Sequence, residues 1–361
     1  MTQTRDRPSV HHGRTSGESD AARPRTALEP PATAHLAREG ALEIPGRFEL
    51  HHGGALDGVR VAYRVAGASR GPVVAALGGI SAGRYVIAAD GAGPGWWSDL
   101  AGPGRALDSE RFRILGIDFL GGSSDTTGPR SGEAFPSVSS YDQARILLAV
   151  LNHLGIATLH AIVGASYGGM VGLAFAERYP ERVARLLVIS AADVTHPMAT
   201  AWRSVQRSVV RFADRQGVGR EGLKLARALA MATYRSPEEF SARFRVAPRA
   251  TENGFRFPVE DYLFARGEDY AARYVPEAYL CLSESIDLHA IDPAQVMTPA
   301  TLIAVKEDQL VPLADMRALS ARLGGPNQLV ELSSIFGHDE FLKVAERLKP
   351  IFRASLEGDA P

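Results

Sequence analysis

The chain of 361 residues contains a single cysteine, Cys281, and therefore cannot build a framework of internal disulfide bonds. It also lacks any apolar run approaching the roughly 18 residues of a membrane-spanning helix. No block of like charges occurs, and 40 Lys and Arg against 41 Asp and Glu leave a net charge of −1. We therefore expect neither a membrane nor a nucleic acid as partner.

Large apolar side chains are also scarce at the N-terminus. Residues 1–43 are rich in Arg, Pro, Ser and Thr, and they lack the apolar stretch of a secretory signal. A segment of this composition cannot offset its ordering entropy by burying apolar surface. The sequence predicts a disordered extension over residues 1–43 and, by default, a cytoplasmic protein.

Short apolar runs bounded by turn residues recur along the rest of the chain, and amphipathic helical patterns such as residues 141–154 lie between them. Continuous apolar runs are typical of strands that are covered on both faces of a parallel sheet. The alternation predicts an α/β fold with a doubly wound, mostly parallel sheet. The predicted buried strands lie at residues 73–77, 112–117, 160–163, 186–190 and 301–305.

Residues 195–295 interrupt this alternation. The segment has helical patterns, carries aromatic side chains such as Trp202 and Phe255, and contains no buried-strand run. We predict a helical cap, or lid, inserted over the strand ends, where α/β proteins place their sites. The α/β core would then comprise residues 44–194 and 296–361.

The pentapeptide Gly-Ala-Ser-Tyr-Gly at residues 164–168 follows a predicted strand and precedes an Ala-rich helical pattern. This context is that of the nucleophile elbow of the α/β-hydrolase fold, with Ser166 as the nucleophile. The amide of Tyr167 is then free to bind an oxyanion. A second amide would come from the glycine-rich loop after residues 73–77, at Leu77 and Gly78.

An elbow serine needs a base and a group that orients it, and on this fold the chain order is Ser, Asp or Glu, His. Asp308 follows the strand at residues 301–305, with Glu307 as its direct competitor. His338 precedes the C-terminal helix. We predict His338 as the general base and Asp308 as its partner. The sequence contains no cluster with metal-ligand spacing, so we expect neither a metal nor a permanently bound cofactor.

Several further segments resemble the homoserine O-acyltransferases of methionine biosynthesis, over about residue 45 to the end. One departure is Tyr167, since the family usually has Met after the nucleophile. The segments that carry the resemblance are Gly95–Gly104 (GWWSDLAGPG), Thr127–Pro129, Ser166–Met170, Thr233–Ser236, Val259–Leu263, Ile286–Asp287 and Gly337–Asp339.

The resemblance implies transfer of an acyl group from acyl-CoA, a co-substrate, to the side-chain hydroxyl of L-homoserine by a ping-pong route through acyl-Ser166. It also implies a homodimer. Arg227 would clamp the carboxylate of the amino acid, Tyr234 would add a hydrogen bond, and Asp339 would hold the amino group.

The acyl donor remains open between succinyl-CoA and acetyl-CoA. A succinyl group carries a second carboxylate, for which Arg203 is the candidate partner, and we therefore favour succinyl-CoA. Serine as acceptor, with one methylene fewer, is an alternative because a pocket discriminates a methylene by only about 1–3 kcal/mol. An ester hydrolase with the same triad and a catalytically dead binding module are the more remote alternatives.

Overall fold

The computed structural model of the protein describes residues 37–88, 93–130 and 132–357. Most of the predicted N-terminal extension, residues 1–36, lies outside the described residues. Within the described ranges, no helix combines the length and the apolar character needed to span a bilayer.

The predicted end of the extension at residue 43 is not a boundary in the structure. Residues 37–43 form the first half of a strand that pairs with residues 60–66. A side chain at Gly40 would collide with the Tyr63 ring on the neighbouring strand. The pairing rests on backbone hydrogen bonds more than on apolar alternation, which explains why the sequence pattern did not reveal it.

The described residues contain twelve strands. In chain order they are β1 (Ala37–Glu49), β2 (Ala55–Gly67), β3 (Val73–Leu77), β4 (Ala101–Gly102), β5 (Leu107–Asp108), β6 (Arg113–Ile117), β7 (Ala161–Ala165), β8 (Leu186–Ile189), β9 (Arg249–Thr251), β10 (Gly254–Arg256), β11 (Ala300–Val305) and β12 (Asn327–Leu332).

Eight of these strands form one sheet in the order β1-β2-β6-β3-β7-β8-β11-β12. β1, β2 and β6 pair antiparallel, and the sheet is parallel from β6 to β12. The chain order crosses over at β3, so the predicted doubly wound, mostly parallel α/β sheet is confirmed.

The ten helices of the described residues account for most of the remaining regular structure. They are α1 (Ser140–His153), α2 (Tyr167–Arg178), α3 (Pro197–Arg215), α4 (Gly219–Tyr234), α5 (Pro237–Phe244), α6 (Pro258–Ala271), α7 (Pro276–Asp287), α8 (Leu313–Arg322), α9 (Glu340–Lys343) and α10 (Ala345–Glu357).

The central strands are covered on both faces, as their continuous apolar runs predict. In β3, Val73, Ala75 and Leu77 belong to a hydrophobic cluster that includes α1 and α2. The alternate residues Val74 and Ala76 belong to a second cluster that includes α10. Because side chains alternate across a strand, each face of β3 is buried against a different helix layer. This packing fixes the strand ends on which the site is built.

Helices α3 to α7 lie between β8 and β11, which are neighbours in the sheet. We refer to residues 195–295 as the inserted segment. Its helix α3 packs on α4, and α4 packs on α6. The segment also contains the short antiparallel pair β9–β10, which the helical patterns did not predict.

Candidate active site

Ser166 lies at a strained turn between β7 and α2, with φ 54° and ψ −123°. Its amide donates a hydrogen bond to the Ile189 carbonyl at the end of β8, 2.8 Å away. A Cβ atom at Gly164 would overlap the Gly168 carbonyl, and one at Gly168 would overlap the Leu77 carbonyl. The two glycines are therefore required by close packing of the backbone around the serine.

Ser166, His338 and Asp308 form one chain of hydrogen bonds. The Ser166 hydroxyl lies 2.8 Å from Nε2 of His338, and Nδ1 of His338 lies 2.7 Å from Oδ2 of Asp308. The amides of Leu310 and Val311 donate to the other Asp308 oxygen, at 2.8 and 3.0 Å. With the proton on Nδ1, the imidazole can accept the serine proton at Nε2. The structure thus brings together the three residues that the sequence analysis selected.

Glu307, the competitor of Asp308, points elsewhere. Its carboxylate accepts hydrogen bonds from the Ser333 hydroxyl and, at 2.6 Å, from the Ser334 amide. Burial acts to raise the pKa of Glu307, but these hydrogen bonds outweigh it and hold the pKa below its ordinary value. Glu307 is therefore bound to the loop after β12, and Asp308 is the carboxylate that contacts the imidazole.

The environment of His338 favours a basic imidazole. Burial acts to lower its pKa, but the negative charge of Asp308 and the hydrogen bond to it dominate, and the pKa lies above the ordinary value of 6.5. Asp339 acts in the same direction, whereas Arg203 opposes it. An imidazole of this kind holds a proton more firmly than a free histidine, which suits the group that must accept one from an alcohol.

The predicted donors to an oxyanion are the backbone amide of Tyr167 and an amide of the loop at Leu77 and Gly78. Tyr167 is the first residue of α2, and Gly78 follows β3, of which Leu77 is the last residue. In the part of the chain that the structure describes, no hydrogen bond is made by the amide of Tyr167 or of Gly78. The Gly168 amide donates to the Gly78 carbonyl at 2.8 Å and holds the two loops together. The assignment of these amides to an oxyanion remains a prediction.

Two cavities meet at Ser166 and His338, and both are lined by the core and by the inserted segment. We call the first the acyl-side cavity; Trp202 and Arg203 of α3 line it together with Ser166. We call the second the amino-acid-side cavity, because it contains Arg227 and Asp339. Tyr234 lines both.

Arg203 is paired within the protein, a contact that the sequence did not indicate. Its Nε and Nη2 donate to Oδ1 of Asp287 at 2.9 and 2.7 Å. Arg207 donates to the other oxygen of Asp287 at 2.5 Å and to the Ser283 carbonyl at 3.0 Å. Two guanidinium groups thus share one carboxylate, so the cluster carries a formal net charge of +1; Arg203 lines the acyl-side cavity, and so does the carboxylate of Asp315. The i, i+4 spacing of the two arginines on α3 was the available sequence signal.

The shared carboxylate is ionised in this cluster. Burial acts to raise the pKa of Asp287, but hydrogen bonds and charge from Arg203 and Arg207 hold it below its ordinary value.

Arg227 projects from α4 between aromatic rings. Its Nη1 lies 3.3 Å from the Tyr234 hydroxyl, and its guanidinium lies 4.8 Å from the centre of the Tyr270 ring. Among the described residues, no carboxylate oxygen lies within the 4.0 Å of an ion pair with Arg227. The guanidinium faces the cavity that contains Ser166, and it is suited to bind a carboxylate from outside the protein.

Asp339 lies on the same cavity and is held by Arg235, a residue for which the sequence pattern indicated no role of its own. Arg235 Nη2 lies 3.0 Å from Oδ2 of Asp339, and its Nη1 lies 3.3 Å from Glu239. Asp339 is 7% exposed. Since only Oδ2 is engaged in that ion pair, the other oxygen can accept from an ammonium group in the cavity.

Metal ligation has no support within the described ranges, where no three His, Cys, Asp or Glu side chains cluster in a way that could hold an ion.

A model of the α/β-hydrolase fold family matches residues 79–343. A homoserine O-succinyltransferase of Xanthomonas campestris pv. campestris is 45% identical over 87% of this chain and 83% of its own length. A homoserine O-acetyltransferase of Thermobifida fusca is 32% identical over 87% and 93%. A serine O-succinyltransferase of Litchfieldella anticariensis is 33% identical over 86% and 96%.

Among solved structures, a variant of esterase E22 superposes with a TM-score of 0.81 at 19% identity, over 90% of this chain and all of that one. At this identity the likeness concerns the fold alone.

Proposed function

This chain belongs to the homoserine O-acyltransferase family of the α/β-hydrolase fold, and on that premise we propose that it transfers an acyl group from acyl-CoA to the side-chain hydroxyl of L-homoserine. One observation supports an amino acid as the acceptor of the acyl group. Arg227, which has no carboxylate partner among the described residues, and Asp339 face the cavity of Ser166 together. Their charges are complementary to the carboxylate and the ammonium group of an amino acid.

The first half-reaction acylates Ser166. The serine oxygen attacks the thioester carbon while Nε2 of His338 accepts its proton. The oxyanion that forms accepts hydrogen bonds from the Tyr167 and Gly78 amides. When the carbon–sulfur bond breaks, the proton on His338 passes to the sulfur, and CoA leaves as a thiol.

The second half-reaction moves the acyl group to the acceptor. The homoserine hydroxyl attacks the ester carbon and gives its proton to Nε2 of His338, while Asp308 stabilises the imidazolium. Collapse of the tetrahedral intermediate returns the proton to Ser166 and releases the O-acyl amino acid. Arg227 and Asp339 hold the hydroxyl close to the ester, so that it outcompetes water. In this scheme the inserted segment acts as a cap over the strand ends.

We favour succinyl-CoA as the donor. The Arg203–Arg207–Asp287 cluster has a formal charge of +1, and its Arg203 lines the cavity that contains Ser166, so it can attract the free carboxylate of a succinyl group on the serine. The relative that is 45% identical is named a homoserine O-succinyltransferase, whereas a relative at 32% identity is named an acetyltransferase.

The test is a matrix of succinyl-CoA and acetyl-CoA against homoserine and serine, followed by release of free thiol. We expect the fastest turnover for succinyl-CoA with homoserine. Faster turnover with serine would assign the acceptor named for the relative of Litchfieldella anticariensis instead. Thiol release that is independent of any amino acid would indicate an ester or thioester hydrolase.

A substitution at Arg203 tests the choice of acyl donor independently of the choice of acceptor. Arg203→Asn is expected to lower the ratio of succinyl to acetyl transfer by roughly tenfold, the value of one charge-assisted hydrogen bond. An unchanged ratio would show that the acyl carboxylate is bound elsewhere. Arg215→Asn, at the exposed end of the same helix, is the matched control.

The family also implies a place in methionine biosynthesis, a cytoplasmic enzyme and a homodimer. We include these in the proposal.

A further inference from the structure

A third cavity opens beside the amino-acid-side cavity, between the inserted segment and the end of α9. It has a volume of about 1100 Å³, with open solvent at its mouth included. Its charged lining is dominated by cations, and we call it the basic cavity. The six cations that line it are Arg227, Arg235, Arg243, Arg266, Arg273 and Lys343.

The basic cavity carries an excess of positive charge. Its six cations face only three carboxylates, those of Glu239, Asp269 and Asp339. The formal net charge of the whole chain is −1, so this excess is local and not a property of the surface as a whole. A concave site with one sign of charge attracts anions from solution and concentrates them.

Two of the cations at the mouth have no carboxylate partner. Arg273 and Lys343 are exposed, and in the described residues neither takes part in an ion pair. Arg273 makes one hydrogen bond, from Nε to the Asp269 carbonyl at 3.2 Å, so its terminal nitrogens remain available.

A buried donor that lines the cavity also has no hydrogen-bond partner among the described residues. Arg235 is 6% exposed, and its Nε makes no hydrogen bond although its two terminal nitrogens are paired. A buried N–H group of this kind costs free energy unless a ligand or a water satisfies it.

The basic cavity adjoins the cavity that contains the reacting serine. It shares Arg227, Asp339 and Leu342 with the amino-acid-side cavity, which contains Ser166 and His338. A long ligand can therefore place an anionic end among the exposed cations and a reactive end at Ser166.

From these observations we propose that the basic cavity binds the 3′-phosphate and the diphosphate of the CoA nucleotide, with Arg273 and Lys343 as the principal partners. The pantetheine arm passes Arg227 and Asp339 and carries the thioester to Ser166. The inference rests on the function proposed above and adds the donor's point of entry to it. Guanidinium and ammonium groups in solvent-accessible positions are typical phosphate ligands.

The residues that line both the basic cavity and the amino-acid-side cavity have a consequence for the kinetics. The arm of the donor and the bound amino acid would both occupy the space beside Arg227 and Asp339. CoA must then leave before the amino acid binds, which enforces the order of a ping-pong reaction. High concentrations of homoserine are expected to inhibit competitively against acyl-CoA.

The test compares the full donor with acyl-pantetheine, which has the same thioester but lacks the nucleotide and its phosphates. Both donors carry the same acyl group, succinyl or acetyl, and the one chosen is the group that the unaltered enzyme transfers faster from CoA. In the double variant Arg273→Gln, Lys343→Gln we expect the KM for acyl-CoA to rise about tenfold, with less than a twofold change in kcat/KM for acyl-pantetheine. The control is Arg215→Gln, Arg220→Gln, which removes the same charge from exposed positions of α3 and α4 that do not line the cavity.

A binding measurement complements the kinetics. Adenosine 3′,5′-bisphosphate is titrated calorimetrically into the Ser166→Ala protein with and without the two substitutions, and we expect the affinity to fall about tenfold with them. An unchanged KM for acyl-CoA, or an equal loss with both donors, would overturn the assignment and leave the proposed function standing. If the unaltered enzyme fails to transfer an acyl group from any CoA ester, the proposed function is wrong and the assignment falls with it.

Discussion

The core and the inserted segment contribute differently to the same site. On the core side, each reacting group is held by the protein itself: Ser166 by its strained turn, His338 by Asp308, and Asp308 by two amides. On the inserted side, Arg227 has aromatic neighbours and no ion-pair partner among the described residues, and it lines the cavity that contains Ser166. A side chain whose hydrogen bonds are made within the protein is held in position for the reaction. A charged side chain without an ion-pair partner can instead bind a ligand.

The packing of the two regions differs in the same way. All residues of β3, β7, β8 and β11 are buried. The inserted segment instead exposes large apolar side chains, such as Phe212, Phe255 and Phe264, each about half exposed or more. Side chains in a fully buried sheet are close-packed, so a change of one methylene group already disturbs their neighbours. The strands of the core are therefore held firmly in place. We infer that the core sets the reaction and that the inserted segment, together with Asp339 and Lys343 of the core, sets the substrates.

The largest expected effect concerns the nucleophile. Ser166→Ala should lower acyl transfer by about 10⁶-fold, because no acyl-enzyme can form. Both half-reactions should be lost together, as measured by thiol release without an acceptor and by formation of the O-acyl amino acid with one. A variant that still released thiol in a burst would place the nucleophile elsewhere.

The next effect tests the partner of the base. Asp308→Asn should lower kcat by about 10⁴-fold, because the imidazole loses the carboxylate that fixes its tautomer and stabilises its charged form. Glu307→Gln removes a carboxylate from the neighbouring position and should change kcat by less than about threefold. Equal losses in the two variants would contradict the assignment, and circular dichroism would check that each one folds.

A smaller and more selective effect is expected on the inserted side. Arg227→Gln should raise the KM for homoserine by roughly 10²-fold, since charge-assisted hydrogen bonds to the carboxylate are lost. Thiol release in the absence of acceptor should change far less. Arg220→Gln on the same helix is the control, and Arg227→Lys should recover part of the loss. If the acylation half-reaction fell as much as the transfer, the division of labour between the two regions would be wrong.

The smallest effect concerns pH. His338 can act as a base only when neutral, and its pKa lies above 6.5, so kcat/KM should fall as the pH drops through that higher value. Arg203 lowers the pKa of His338, so Arg203→Gln should move the acidic limb to higher pH, by less than about one unit. Acetyl-CoA is the donor of choice here, because it lacks the second carboxylate. A limb that moved to lower pH, or an Arg215→Gln control that moved equally, would contradict this.

Much of the core could be predicted from the chain, because its signals are local. A strand that is buried on both faces must be apolar throughout, and the close backbone packing on either side of the Ser166 turn requires glycine at position 164 in β7 and at position 168 in α2. The order of Ser166, Asp308 and His338 follows from the order of the strands that carry them. The first part of β1 escaped prediction because residues 37–43 are held by backbone pairing, and the β9–β10 pair escaped because it is short and exposed.

The partners of the arginines could not be predicted in this way. Arg203 and Asp287 are separated by 84 residues, and Arg235 and Asp339 by 104, so no local pattern links them. The choice between Glu307 and Asp308 also depended on which way each side chain leaves the loop after β11.

The sequence by itself determined the α/β core, the position of the reactive serine and the candidates for its base, since each follows from local periodicity or from steric limits on a turn. Only the tertiary structure decided which carboxylate contacts His338, which cations are already neutralised and which remain free for a ligand. The physical reason is that charge compensation acts through space between residues far apart in the chain, so it is defined only once folding has brought them together.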